Sequence, residues 1–203
     1  MTLTKPGFPL FASDEGDWGT AFSLPRMHEL TLGLPDRPRH AGDDLSQALT
    51  KTLEGDEVIV YLKPEDKWPS ELQFMSLRVL EHLDAELADN VLQALYAWYP
   101  TLSKSYDFLL DNKDMAHLLP RLEASEGLHP LIRLDYIAVQ PLPSLTPYLG
   151  LGFSCSWDEE HGLGLMTYGT EVLEIGGEDT ALSVEVAREH QAKVIEQLGS
   201  QQP

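Results

Sequence analysis

From Ser70 to Pro100 apolar residues recur at helical spacing, and from Leu131 onward they recur at every second position. Leu72, Met75, Val79, Leu80, Leu83, Leu87, Val91, Leu95 and Trp98 keep a period of about 3.6 residues. They follow Ser70-Glu71-Leu72-Gln73, which has the form of a capping box, where hydroxyl and amide side chains satisfy first-turn groups reciprocally. The register predicts one long helix, or two broken near Asp84 or Asp89-Asn90. The alternating stretches predict strands at Arg133–Val139, Pro147–Trp157, Leu163–Tyr168 and Glu171–Ile175, with turns at Asp158–Gly162 and Tyr168-Gly169-Thr170. Helices and strands in blocks argue against an alternating βαβ fold. The expectation is α+β: an antiparallel sheet whose C-terminal meander packs against a central helical segment.

The rest of the chain fits around these blocks. Residues 1–16, rich in Pro, Gly and acids, read as a flexible leader. Trp18 to Leu34 reads as extended, with Met27–Leu32 alternating in part as a half-buried strand does. Pro35 to Gly42 is a loop carrying Arg37, Arg39 and His40, and Asp43 or Asp44 is placed to cap a short helix ending before Gly55. Glu57–Leu62 is β-branched enough to be a strand. Asp111–Leu122 is weakly helical and shortened by Pro120. Val184, Ala187, Gln191, Val194, Ile195 and Leu198 form one stripe of a terminal amphipathic helix, expected to pack on the sheet. Three regions follow: leader 1–16, a single α+β domain 17–182, and a helix and tail 183–203.

Charge limits the function classes. The chain carries 14 Lys+Arg against 33 Asp+Glu, a net charge of −19. Nucleic acid is a poor direct ligand for such a surface, because phosphates require a basic one. An apolar content of 42% is too high for an acidic disordered tail. The acids are densest near the end: residues 151–203 hold 10 of them and only 2 bases. One cysteine, Cys155, excludes an internal disulfide and a cysteine zinc cluster within these residues. No run approaches the roughly 18 apolar residues needed to span a bilayer, and none at the N-terminus reads as a signal core. A cytoplasmic protein without membrane association is expected.

Chemistry-bearing residues converge at Cys155-Ser156-Trp157-Asp158-Glu159-Glu160-His161-Gly162-Leu163-Gly164. Asp158, Glu160 and His161 together could hold a divalent cation for a metal-assisted hydrolase. The same residues read more readily as a hairpin whose glycines supply positive φ and whose acids face water. His161 has no second histidine at zinc-binding spacing, and Cys155 sits on an apolar face beside Phe153 with no local base. Gly150-Leu151-Gly152 and Gly162-Leu163-Gly164 precede strand-like sequence rather than a helix, so neither cradles phosphate. No catalytic residue, metal ligand or cofactor is assigned, and a non-enzymatic role is expected.

The segment Gly152–Gly164, followed by Val172-Leu173-Glu174-Ile175-Gly176 and Asp179-Thr180-Ala181, resembles the C-terminal signature of an uncharacterised bacterial domain family. In it a strand ends in Trp-Asp, followed by Glu-His-Gly-x-Gly, a second strand ending in Gly, and a short acidic segment. Such domains are similar in size and acidity to immunity proteins encoded beside bacterial toxins, including those of contact-dependent and type VI secretion systems. The resemblance implies a binding protein that neutralises a cognate toxin or effector, with an effector chaperone or adaptor as the neighbouring reading. Long-range attraction would steer an acidic inhibitor to a basic toxin. The expected partner-binding residues are Trp157, Asp158, Glu159, Glu160, Glu171, Glu174, Glu178 and Asp179, with a tryptophan or tyrosine as anchor, although Trp157 taken by itself reads as a core or partly buried aromatic.

Overall fold

Eight strands, β1 (Thr2–Lys5), β2 (Phe8–Ala12), β3 (Trp18–Ser23), β4 (Glu57–Leu62), β5 (Ile132–Val139), β6 (Tyr148–Cys155), β7 (Leu163–Tyr168) and β8 (Glu171–Gly176), lie side by side in chain order in one sheet. The computed structural model describes residues 2–5, 8–12, 17–34, 47, 49–63, 68–106, 108, 111 and 113–200. Neighbouring strands are antiparallel except β4 and β5, which pair in parallel. A parallel pair needs a long crossover. Here it carries the central helix α2 (Glu71–Trp98). Two antiparallel meanders are thus joined by one helical crossover, an α+β arrangement.

The capping box forms: the Gln73 amide donates to the Ser70 hydroxyl oxygen at 3.2 Å, and the Ser70 amide donates to Gln73 Oε1 at 3.0 Å. The Gln73 side-chain amide also donates to the carbonyls of Lys63 (2.8 Å) and Val139 (3.2 Å), tying the helix start to the ends of the parallel pair. The helix runs unbroken through Asp84 and Asp89. It buries Leu77, Leu80, Leu87, Val91 and Leu95 against β-strand residues such as Val60, Ile137, Leu151 and Phe153. Each fully buried aliphatic side chain contributes about 1.5–3 kcal/mol. The buried face shares Leu80, Leu87, Val91 and Leu95 with the apolar register but is shifted from it. It takes in Gln73, Ser76 and Asp84, while Met75 is exposed.

Asp84 explains a second departure. Met27–Leu32, expected as strand, is helical: α1 (Pro25–Glu29) followed by a 3₁₀ turn (Leu30–Leu32). Proline at the first helical position presets φ. The Asp84 carboxylate accepts from the amides of Arg26 and Met27, each at 2.9 Å, and so caps α1 from a distant part of the chain. Likewise residues 1–16 are not wholly a leader, because β1 and β2 extend the sheet. The Pro35–Gly42 loop and the cap at Asp43 or Asp44 lie outside the described residues, although Leu49 beyond them is buried against Ile59. Of Asp111–Leu122, the described residues hold a helical Asp111 and a 3₁₀ turn, Ala116–Leu118.

The opposite sheet face is covered in its C-terminal half by α4 (Asp179–Leu182) and α5 (Val184–Ser200); α3 (Leu102–Ser105) follows the end of α2. A β-carbon on Gly150 would run into the carbonyl of Ala181, so glycine lets α4 lie directly on β6. On α5, Ala187 is buried beside Tyr148 and Met166, and the Tyr148 hydroxyl lies 3.0 Å from His190 Nδ1. Burial pushes the Tyr148 phenol up to about 12. The expected stripe packs only in its first half. Ile195 and Leu198 remain 63% and 62% exposed. Among the described residues no helix is long and apolar enough to cross a membrane.

Candidate functional site

The turn between β6 and β7 is built around Asp158. Beyond Cys155 the Ser156 amide donates to the Leu131 carbonyl (2.8 Å), and Gly162 closes the turn at φ +61°. Only glycine adopts that conformation without a steric cost. The Cys155 thiol donates to the Asp158 carbonyl at 3.3 Å. One carboxylate oxygen of Asp158 accepts from the Tyr106 hydroxyl at 2.6 Å. The other accepts from the His161 amide at 2.9 Å and lies 3.1 Å from His161 Nδ1. Burial on its own would raise the Asp158 pKa. The hydrogen bonds from Tyr106 and His161 outweigh it and hold the carboxyl below its ordinary value.

Asp158 is therefore a scaffold of the turn, with 15% of its side chain exposed. Among the described residues no three His, Cys, Asp or Glu side chains converge as a metal site, and Asp158, Glu160 and His161 are no exception. Trp157 is the core aromatic that its place after the strand implies, and it is not an exposed partner contact. It is only 5% exposed, its ring set edge-on to Tyr99 at 5.5 Å and 78°. The cause is local: the residues after β6 turn back over the core, where an indole gains more from burial than from water.

The exposed acids divide. Glu159 and Glu160 stand at the tip of the turn, and the Glu178 amide donates to the His161 carbonyl at 3.1 Å. That contact brings exposed Glu178 and Asp179 to the same end of the sheet. Glu174 is exposed midway along β8, the outermost strand. Glu171 begins β8, roughly 17 Å away by strand rise. Its end of the strand is tied instead to α2, where Asn90 donates to the Thr170 carbonyl (3.1 Å) and the Thr170 hydroxyl donates to Glu86 (3.0 Å).

A second polar group, on the sheet face away from α2, escaped sequence reasoning. Arg133 is 4% exposed; its Nε donates to Asp135 (2.9 Å) and its Nη2 to Ser154 Oγ (3.1 Å), while the Ser154 hydroxyl donates to Asp135 (2.5 Å). Opposite charges two residues apart in a strand share a face, and this spacing was its available signal. Breaking such a buried pair leaves an uncompensated charge, so it fixes the pairing of β5 with β6. Beside it, Tyr136 packs into the space left by Gly152, and its hydroxyl is buried near the Glu178 carboxylate. Burial first, then the nearby Glu178 carboxylate, raises the Tyr136 phenol pKa.

The family model described as Domain of unknown function (DUF6985) matches residues 42–182, more than half of the chain and ending ahead of α5. No curated protein and no solved structure matches.

Proposed function

The chain belongs to the DUF6985 family, a domain of unknown function, and from that premise we propose that it is an acidic protein-binding domain that docks a basic partner and neutralises it. The specific form of this proposal is a cytoplasmic immunity protein directed at a bacterial toxin or secretion-system effector. The observation that carries it is the gathering of Glu159, Glu160, Glu178 and Asp179, all exposed, at one end of a hydrogen-bonded sheet. Residues 158–187 contain eight acids and no Lys or Arg, so no internal cation neutralises this end from within the segment. Asp158 serves the same reading indirectly, by fixing the turn from which Glu159 and Glu160 project.

Rigid charges of one sign raise the encounter rate with an oppositely charged partner by about 10–1,000-fold at low salt. They add less to the final affinity, since rim charges remain hydrated. The test is co-expression with the product of the neighbouring gene. Protection of the cells and co-purification are expected, and the combined change Glu159→Gln, Glu160→Gln, Glu178→Gln and Asp179→Asn should slow association about tenfold or more at low ionic strength. A neighbouring product that neither binds nor is neutralised contradicts the proposal. Binding that left the partner fully active would replace the inhibitor by a chaperone.

A further inference from the structure

At the far side of the Tyr99–Trp157 pair a half-open pocket of about 580 Å³ lies between the end of α2 and the chain at residues 119–122. Its size falls in the range of about 300–1,000 Å³ typical of small-molecule sites. Tyr96, Tyr99, Pro100, Leu119 and Leu122 supply a largely apolar wall, and among the described residues Arg121 is the one charged residue of the lining. The wall is preformed. The Tyr99 hydroxyl donates to the Pro120 carbonyl at 2.8 Å, bridging the helix end to the opposite side, and the Tyr99 ring rests on buried Trp157.

Arg121 is exposed and, among the described residues, makes no ion pair. By contrast Arg26 is held by two carboxylates, Glu29 and Asp89, and Arg133 and Arg188 are each paired with a carboxylate. The stretch that builds the pocket, residues 96–122, carries three Lys or Arg and three Asp or Glu, against −19 for the whole chain. An anion approaching here is spared the repulsion that it meets at the β6–β7 end, about a Debye length of 8 Å being enough to screen more distant charge. A guanidinium over an apolar wall recognises a molecule with an apolar body and one carboxylate, which it can grip by two parallel hydrogen bonds.

We infer that this pocket is a binding site for a small aromatic monocarboxylate, the ring lying between Tyr96, Tyr99 and Leu122 and the carboxylate on Arg121. The site stands on observations separate from the acidic end and holds or fails independently of it.

The test uses the full chain and three probes that share a phenylalkyl body and differ in the charge of the head group: phenylbutyrate, its uncharged amide and the matching amine. Binding is read by calorimetry and by tryptophan fluorescence, since Trp157 touches the pocket wall. The carboxylate should bind at least about tenfold more tightly than the amide, with the amine weakest. Arg121→Gln, a change of an exposed side chain, should bring carboxylate and amide to within about twofold of each other, and Tyr96→Ala should weaken both. The combined Gln/Asn variant of the acidic end should bind phenylbutyrate as the unchanged protein does. Absence of binding by all three probes at millimolar concentration, an Arg121→Gln protein that keeps the carboxylate preference, or loss of binding in the acidic-end variant would overturn the inference.

Discussion

Two surfaces back onto the same pair of aromatic rings and differ in almost every other respect. The β6–β7 end displays carboxylates on a hydrogen-bonded turn, with eight acids and no Lys or Arg between residues 158 and 187. The pocket at the end of α2 encloses apolar volume beside a single Arg, in a stretch with equal numbers of acids and bases. Trp157 lies under the first and Tyr99 walls the second, and the Tyr106 hydroxyl reaches Asp158 from the chain that follows α3. The net charge of −19 thus describes neither surface well: the acidic end carries −8 of it in 30 residues, and the pocket stretch none. One buried aromatic contact gives rigidity to both, so neither needs a core of its own.

The strongest way to break this comparison is to remove the shared support. Trp157→Ala should destabilise the protein by about 3–5 kcal/mol, measured by urea unfolding, and should weaken binding at both surfaces. A loss at only one would show that they are propped separately. Tyr106→Phe is milder and directional. It removes a hydrogen bond to a carboxylate, worth about 1.5–3 kcal/mol, and should loosen the β6–β7 turn, seen as faster amide exchange at His161, while leaving the pocket unchanged.

The third prediction concerns pH. Because the Asp158 carboxyl is held below its ordinary value of 3.8, the unfolded chain binds more protons than the folded one just above the folded pKa. The stabilisation is complete above the unfolded value and is lost as pH falls through the folded one. Unfolding midpoints followed from pH 6 down to about 2 should therefore fall less steeply for Asp158→Asn than for the unchanged protein. Smallest of all, Glu159→Gln and Glu160→Gln should each change stability by no more than about 0.5 kcal/mol, although both slow association with a basic partner. A larger stability change would make these side chains structural rather than displayed.

Much of the fold was legible because local pattern and tertiary need agreed. Leu163–Tyr168 and Glu57–Leu62 are strands with the limits that their sequence implies, and Ser70 and Gln73 cap α2 as their spacing requires. Where reading failed, a polar side chain did distant work. Gln73, Ser76 and Asp84 rotate the buried face of α2 because Gln73 serves two strand-end carbonyls and Asp84 caps α1; an apolar count along the helix assigns such residues to water. The same cap turns Met27–Leu32 from strand to helix. At the site, the acids of the turn were visible, but the division of labour among them was not. Asp158 is internal because Tyr106, 52 positions away, donates to it. Trp157 is a support because Tyr99 faces it. Arg121 drew no notice in the sequence, since only the folded chain sets it against Tyr96 and Tyr99.

The most direct test of the account is an amide-resolved NMR titration of the protein with the basic product of its neighbouring gene, repeated at rising ionic strength. The account predicts shifts centred on residues 158–162 and 176–180, an association that weakens steeply with salt, and a pocket that still accepts phenylbutyrate in the complex. Shifts centred elsewhere, or a binding constant indifferent to salt, would contradict it.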